Sequence, residues 1–281
     1  MKRFAPLFAA ASILATGLAA VLVTGAGNAA AASGLPTLTI ALNGKTVVVG
    51  GSTVSGAVNV QTTVTHESAG SPFLFRLANG VSPSAFPQAV KAVGAHHGDL
   101  NYLDPYGSIV FDGASPKGTS SAQTELPAGT YFAIDAQSSH GIPPHTLFTV
   151  APSTSPASLP KPQATIGTIE FGFTGPMTLR DGELVRFEND GFLVHMDVWE
   201  SAKSMKVAKQ AVKLLLAGKD NKAGSMLGIS GGFANPMSAG GMVQLVINEK
   251  PGIYVQDCFM NTQDGREHTQ LGMERIIKIV K

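Results

Sequence analysis

Cysteine and charged residues are both scarce in this sequence, and each shortage excludes a class of protein. The 281 residues include one cysteine, which leaves no internal disulfide and no four-thiolate zinc or iron–sulfur site. Charged residues make up 14% of the chain, against roughly 25% in an average globular domain, and this disfavours a coiled coil. The net charge of +1 provides no basic footprint, so we expect no nucleic-acid partner.

Glycine, proline and alternating apolar residues are plentiful, which favours a fold made of strands. The chain has 32 Gly and 17 Pro, and period-2 runs such as Leu38-Ile40-Leu42 and Ile169-Phe171-Phe173 predict strands. One stretch, residues 202–217, instead repeats its apolar residues every three or four positions before Gly218, which predicts an amphipathic helix. We therefore predict an all-β fold, either a sandwich or a barrel, with an inserted helix.

The first 32 residues are typical of an export signal. Lys2 and Arg3 precede an apolar run, and alanines at positions 29–32 form a peptidase site with cleavage after Ala32. The alternative is a retained membrane anchor, because the run approaches the roughly 20 residues that span a bilayer. No later segment is long and apolar enough to span. We expect an exported protein that is secreted, periplasmic or held at the cell surface.

A Pro-rich stretch at residues 151–162 is typical of an extended linker and divides the mature chain into residues 33–150 and 163–281. The two halves share short sequences at offsets of 122 or 123 residues. The repeated residues are Gln88–Lys91 with Gln210–Lys213, Gly129 with Gly252, Tyr131 with Tyr254, and His145 with His268. This pattern predicts a tandem duplication of a domain of about 115 residues, a size that supports its own core.

The chemistry of the chain is concentrated in its second half. His195, Cys258, His268 and Met273 supply two imidazoles, one thiolate and one thioether, the ligand set of trigonal copper sites with a weak axial Met. Each residue also has an ordinary structural interpretation, as a core Met, a sheet histidine or an inert buried thiol. The combination of all four favours a metal site.

This half resembles the cupredoxin family of blue copper proteins. The resemblance rests on Phe187–His195, on Pro251–Tyr254, and on the order of Cys258, His268 and Met273 before the last strand. It implies two tandem Greek-key β-sandwiches, each with an inserted short helix. It also implies one type 1 copper held by His195, Cys258, His268 and Met273, one-electron transfer and a redox partner protein. The loop between Cys258 and His268 is longer than in small electron carriers and is similar to that of copper nitrite reductases.

The first domain lacks most of this ligand set. By the repeat offsets, Phe73 takes the place of His195, Asp135 that of Cys258 and Val150 that of Met273, and only His145 is retained. We expect the domain at residues 33–150 to hold no metal and to be structural or an interaction module.

Two further features of the second half are open to more than one interpretation. Lysines at 203, 206, 209, 213, 219 and 222 would steer an acidic redox partner, or would simply form the solvated face of a helix. The glycine-rich run 228–241 lacks the Lys of a phosphate loop, and we predict a long surface loop there.

Three classes of function are consistent with these residues. We expect an electron carrier with one copper. The alternative is a metal-free secreted or cell-surface binding module with the same sandwich. An enzyme is less expected, because copper oxidases and nitrite reductases need further histidine-rich copper sites and the chain has no His-x-His pair.

Overall fold

The computed structural model describes residues 34–113, 115–137, 142–228 and 232–281. The predicted export signal, residues 1–32, lies outside this part of the chain. Within the described ranges, no helix is long and apolar enough to cross a membrane.

The chain forms two compact units, the first ending at Pro160 and the second spanning Lys161–Lys281. The segment that we predict as a linker, residues 151–162, is hydrogen-bonded to the first unit. The N–H of Ala151 donates to Thr53 O at 2.8 Å, and the N–H of Ala57 donates to Ala157 O at 2.9 Å. The proline-rich segment is therefore bonded to the first unit along several of its residues.

The first unit is a β-sandwich of two four-stranded sheets. Its strands are β1 (Thr37–Leu42), β2 (Val47–Gly51), β3 (Gly56–Gly70), β4 (Pro72–Leu77), β5 (Gly107–Asp112), β6 (Ser115–Leu126), β7 (Gly129–Asp135) and β8 (His145–Val150). One sheet has the order β6-β3-β1-β2 and the other β5-β4-β7-β8, and only β1 and β3 run parallel. Helix α1 (Phe86–Ala95) lies between β4 and β5. Leu38, Ile40 and Leu42 are buried, as their alternation predicts.

The second unit has the same two-sheet design. Its strands are β9 (Ala164–Ile169), β10 (Gly172–Phe173), β11 (Thr178–Arg180), β12 (Leu184–Asn189), β13 (His195–Ala202), β14 (Gly232–Met237), β15 (Met242–Val246), β16 (Gly252–Asp257) and β17 (Glu274–Val280). One sheet contains β10-β9-β12-β15, and the other has the order β11-β17-β16-β13-β14. The predicted all-β fold of sandwiches with short helix insertions is confirmed.

The predicted amphipathic helix is present as α2 (Met205–Leu216), followed by the short α3 (Asp220–Gly224). It begins at Ser204, whose hydroxyl accepts the N–H of Val207, because a serine cap satisfies an otherwise unpaired donor of the first turn. It ends before Gly218, whose φ of 62° is the left-handed conformation that glycine adopts readily.

Two local predictions are wrong. The run Ile169-Phe171-Phe173 is not one strand, because Phe171 has a φ of 55° and reverses the chain between β9 and β10. The glycine-rich run is not one loop, because residues 232–237 pair with β13 as β14, with Met237 opposite His195. In both places a pairing with a neighbouring strand decides the conformation, and local composition does not carry that information.

Candidate metal centre

Three neighbouring strands bring the predicted ligands to one end of a sheet. His195 is the first residue of β13, and Cys258 directly follows β16. His268 begins a 3-10 helix (His268–Leu271), and Met273 directly precedes β17. Because β13, β16 and β17 are adjacent and antiparallel, the start of β13, the end of β16 and the start of β17 meet.

One atom of each of three side chains converges on a common point. The Nδ1 atom of His268 lies 3.4 Å from Sγ of Cys258 and 3.2 Å from Nδ1 of His195, and the third separation, from Sγ to Nδ1 of His195, is 3.8 Å. Three donors placed about 2.0–2.3 Å from a first-row ion in one plane stand roughly 3.5–4 Å apart. The three residues form the one group of three or more histidine, cysteine or acidic side chains in the described chain that could hold a metal ion.

Both imidazoles are neutral near neutral pH. Burial lowers the pKa of His195 to about 4, and burial together with the neighbouring His195 lowers that of His268 to about 3. Neither Nε2 atom has a hydrogen-bond partner among the described residues. Neutral imidazole is the form that binds a metal. In each ring Nδ1 is the nitrogen that faces the common point, so it is the candidate ligand atom.

The thiol of Cys258 requires a positive charge beside it before it can ionise. Its side chain is fully buried, and burial raises its pKa to about 12. The N–H of Met196 donates to Sγ at 3.4 Å, which favours the thiolate but does not offset burial. A bound cation supplies the missing charge, because a thiol that coordinates a metal is deprotonated.

The backbone of Met273 is hydrogen-bonded to the backbones of His268 and Cys258. Its N–H donates to His268 O at 3.0 Å, and its carbonyl accepts from the N–H of Cys258 at 3.3 Å. Its side chain is fully buried. The fourth predicted ligand thus lies at the same end of the sheet as the other three.

Asn189 holds the segment that leads into His195. Its Nδ2 donates to Leu193 O and to Met237 O, each at 2.8 Å, and its Oδ1 accepts from the N–H of Gly191 at 3.0 Å. These bonds tie the end of β12 to the residues just before β13 and to the end of β14. The backbone that leads into His195 is therefore held by hydrogen bonds.

The turn between β9 and β10 contributes residues that the sequence did not identify. The ring of Phe171 meets that of His268 edge to face, with centroids 5.2 Å apart. The carboxylate of Glu170 accepts the N–H groups of Phe192 and Leu193, and the bond from Phe192 is the main reason that the pKa of Glu170 is lowered. The left-handed φ of Phe171 is the signal of a turn, but alternating apolar residues conceal it in the sequence.

Four carboxyl groups lie on the three strands that carry the centre, and three of them, those of Asp197, Glu200 and Asp257, are buried. Asp197 accepts Trp199 Nε1 at 2.7 Å and Gln256 Nε2 at 2.6 Å, and burial raises its pKa to about 7. Burial, with Glu200 and Glu274 nearby, raises the pKa of Asp257 well above its ordinary value. Burial also raises the pKa values of Glu200 and Glu274 to about 7. A dry environment of this kind strengthens any electrostatic interaction in the centre.

The first unit has a different arrangement at the residues that the sequence offset equates with the centre. The N–H of Ser71 donates to Oδ1 of Asp135 at 3.3 Å, just as that of Met196 donates to Cys258. The sequence offset equates Ile134 with Asp257. Strand pairing places His145 opposite Ile134 and Glu274 opposite Asp257, so His145 corresponds to Glu274. The prediction that His145 corresponds to His268 is therefore wrong, because the segment between the paired strands is shorter in the first unit.

His145 itself has surroundings unlike those of the candidate centre. Its side chain is exposed, its Nδ1 lies 2.8 Å from Pro143 O, and its ring contacts Phe86 and Phe132. Within the described part of the first unit, no group of histidine, cysteine or acidic side chains could hold a metal.

No family model matches the sequence, and no curated protein matches it either. A reduced auracyanin from Roseiflexus castenholzii is 17% identical with a TM-score of 0.27, covering 42% of this chain and 95% of that one. A multicopper oxidase is 13% identical with a TM-score of 0.24, covering 87% of this chain and 88% of that one. A copper nitrite reductase from Nitrosomonas europaea is 12% identical with a TM-score of 0.23, covering 87% and 92%. Scores this low carry no functional argument, so function rests on the geometry of the centre.

Proposed function

We propose that the second unit binds one copper ion through Nδ1 of His195, Sγ of Cys258 and Nδ1 of His268, with Met273 as the weak fourth ligand. The observation that carries this proposal is the convergence of three soft or borderline donor atoms, 3.2–3.8 Å apart, in a fully buried site. Thiolate and imidazole together select copper over the hard cations, which prefer oxygen ligands.

The proposed role is one-electron transfer by an exported protein. Copper, when bound, supplies a redox couple that exchanges single electrons. The residues of this chain hold its ligands in one arrangement: Asn189 fixes the approach to His195, and the backbone bonds of Met273 fix Cys258 and His268. The ring of Phe171 packs against that of His268. A rigid, dry ligand set favours electron exchange, since little rearrangement accompanies it.

Cys258 releases its proton when the ion binds, because a coordinating sulfur must be a thiolate. The two imidazoles release none near neutral pH, since their pKa values already lie at about 4 and 3. With that one proton released, the site would gain one net positive charge on holding a divalent ion.

We also propose that the two units arose by duplication. Tyr131 donates its hydroxyl to Pro127 O at 2.6 Å, and Tyr254 donates to Lys250 O at 2.6 Å, four residues upstream in each case. In addition, the N–H of Ser71 donates to the side chain of Asp135 as the N–H of Met196 donates to that of Cys258. On this account the second copy alone carries the metal ligands, and the first is a structural domain or an interaction module.

Copper titration of the purified protein tests the proposed site. We expect one copper per chain and an intense visible absorption from charge transfer between thiolate and copper. Cys258→Ser should abolish the absorption, and His268→Ala should weaken copper binding, whereas His145→Ala in the first unit should change neither. A protein with no such absorption, whose melting temperature is unchanged by copper or chelator, would instead be a metal-free binding module.

A further inference from the structure

Six exposed lysines are concentrated in one short stretch of the second unit. They occupy twenty consecutive positions that contain one acidic residue, Asp220. We call this group of lysines the lysine face; it consists of Lys203, Lys206, Lys209, Lys213, Lys219 and Lys222. It holds six of the 20 Lys and Arg residues of a chain whose net charge is only +1, so positive charge is concentrated there.

Packing fixes the direction of this face. Ala208, Ala211 and Leu215 are buried against Val255 of β16, so the opposite side of α2 must point to solvent. Lysines at 206, 209 and 213 repeat at intervals of three and four and therefore lie in one row on that side. The helix cannot turn its charges inward without exposing the apolar residues that hold it in place.

Within the residues that the structure describes, no ion pair involves the lysine face. In the described part of the chain, none of the six ammonium groups has a carboxylate oxygen within 4.0 Å, and the ion pairs found there involve Arg186 with Glu188 and Arg266 with Asp264. Solvated helices usually intersperse charges of both signs. An unpaired row of one sign produces a field that extends about a Debye length, 8–10 Å, from the surface at physiological ionic strength.

The lysine face ends beside the candidate metal centre. Gly218 approaches Gln270 so closely that a Cβ on Gly218 would lie 2.5 Å from Nε2 of Gln270, two residues after His268. Phe259, the residue after Cys258, also packs against the apolar cluster under α2. A partner on the lysine face is therefore next to segments that carry two of the proposed ligands.

We propose that the lysine face docks a folded redox protein with an acidic surface. This inference rests on the proposed electron-transfer function and adds the kind of partner. Charge complementarity identifies the partner's surface as negative. A membrane is disfavoured because an interfacial helix inserts an apolar face, whereas that of α2 is already buried and only Met205 and Leu216, at its two ends, are exposed apolar residues.

Binding is tested first without copper. The probe is cytochrome b5, an acidic soluble haem protein, titrated into the isotope-labelled protein. We expect shifts or broadening of the amide signals of residues 203–222 at low salt and their loss at high salt. The helix variant Lys206→Glu/Lys209→Glu/Lys213→Glu should lose the response. The control Lys45→Glu/Lys91→Glu/Lys117→Glu makes the same charge change with exposed lysines of the first unit and should keep it.

Electron transfer is tested next with the copper-loaded protein, which takes one electron from the ferrous haem of reduced cytochrome b5. At low ionic strength the helix variant should react about tenfold more slowly than the control variant, and the difference should vanish at high salt. Reduced cytochrome c, a basic protein, should not react more slowly with the helix variant. Far-ultraviolet circular dichroism should confirm that both variants keep their fold.

The two proposals fail in distinguishable ways. Amide shifts at residues 203–222 with no electron transfer from either cytochrome would retain the docking surface and contradict the redox function. Equal behaviour of the helix and control variants would overturn the docking surface. Sedimentation with phosphatidylglycerol vesicles that depends on the three helix lysines, without a response to cytochrome b5, would overturn it in favour of a membrane.

Discussion

Burial shifts the thiol and the imidazoles of the centre in opposite directions, and both shifts leave them uncharged. His195 and His268 stay neutral because a buried imidazolium is costly, and Cys258 stays a thiol because a buried thiolate is costly. The imidazoles are therefore ready to act as neutral ligands, and a cation beside the sulfur would supply the charge that stabilises the thiolate. This is the residue-scale reason why the three side chains are better suited to a bound ion than to an empty core.

Metal affinity should rise with pH. The pKa of Cys258 is raised to about 12, so the metal must displace one proton from it at any pH between 6 and 9, whereas the imidazoles have none to lose in that range. We expect affinity for a divalent ion to increase about tenfold per pH unit. Competition with a chelator at pH 6, 7 and 8 measures this, and Cys258→Ser should flatten the dependence. An affinity independent of pH would contradict the burial of a protonated thiol.

Ionisation of the buried Asp257 carboxyl group should lower the free energy of unfolding at alkaline pH. Its pKa is raised in the folded protein, so the folded state holds a proton that the unfolded state has lost, and stability falls as pH rises from about 4 through the folded pKa. Asp257→Asn removes this dependence, which amounts to at most about 1.4 kcal/mol per pH unit. We expect its melting temperature to exceed that of the wild type at pH 8, and the difference to shrink as the pH falls toward about 4. Glu125→Gln, at an exposed site, should leave the profile unchanged; parallel profiles for Asp257→Asn and the wild type would contradict this.

At the scale of elements, the turn between β9 and β10 acts as a cover held by one carboxylate. Glu170 bonds the N–H groups of Phe192 and Leu193, and this holds the Phe171 ring against His268. A phenylalanine with a φ of 55° is strained, and strain of this kind persists only when surrounding contacts maintain it. The cover thus depends on a bond at the protein surface.

Loss of that carboxylate should speed metal release. Glu170→Ala removes the acceptor for two N–H groups, so we expect a chelator to remove copper several-fold faster. Glu170→Gln keeps one acceptor oxygen and should have a smaller effect. Glu125→Ala, on an exposed part of β6, is the control and should not change the rate. Identical rates for all variants would show that the turn does not cover the route to the ion.

Elements with strong internal periodicity could be predicted from the sequence, and elements defined by their partners could not. The apolar spacing of α2 and the alternation of β1 reflect one buried face each, so local pattern is sufficient. The break at Phe171 and the strand β14 depend on hydrogen bonds to other strands. Local composition carries no record of such pairings.

At the scale of the whole molecule, the two units share a sandwich but differ in chemistry. Motif order in the sequence predicted His195, Cys258 and His268 as one group, because strand ends in such a fold deliver residues far apart in sequence to one place. Burial keeps both imidazoles neutral, and the fold turns the Nδ1 atom of each ring toward the common point. Neither property can be read from the sequence. The register that separates His145 from His268 likewise required the paired strands.

Metal binding should therefore stabilise one unit. Every proposed ligand lies within residues 161–281, so copper should protect amides there against hydrogen exchange, because a ligand that binds the folded state opposes its opening. Amides of residues 34–160 should exchange at unchanged rates. Mass spectrometry of the intact chain with and without copper gives both values, and equal protection in the two units would contradict a single site in the second.

Anomalous X-ray scattering at the copper absorption edge, from crystals of the copper-loaded protein, tests the central claim most directly. The account predicts one strong peak in the second unit, enclosed by Nδ1 of His195, Sγ of Cys258 and Nδ1 of His268, and no peak in the first unit. A copper-loaded crystal without density between these three atoms, or with its copper on other side chains, would contradict the account.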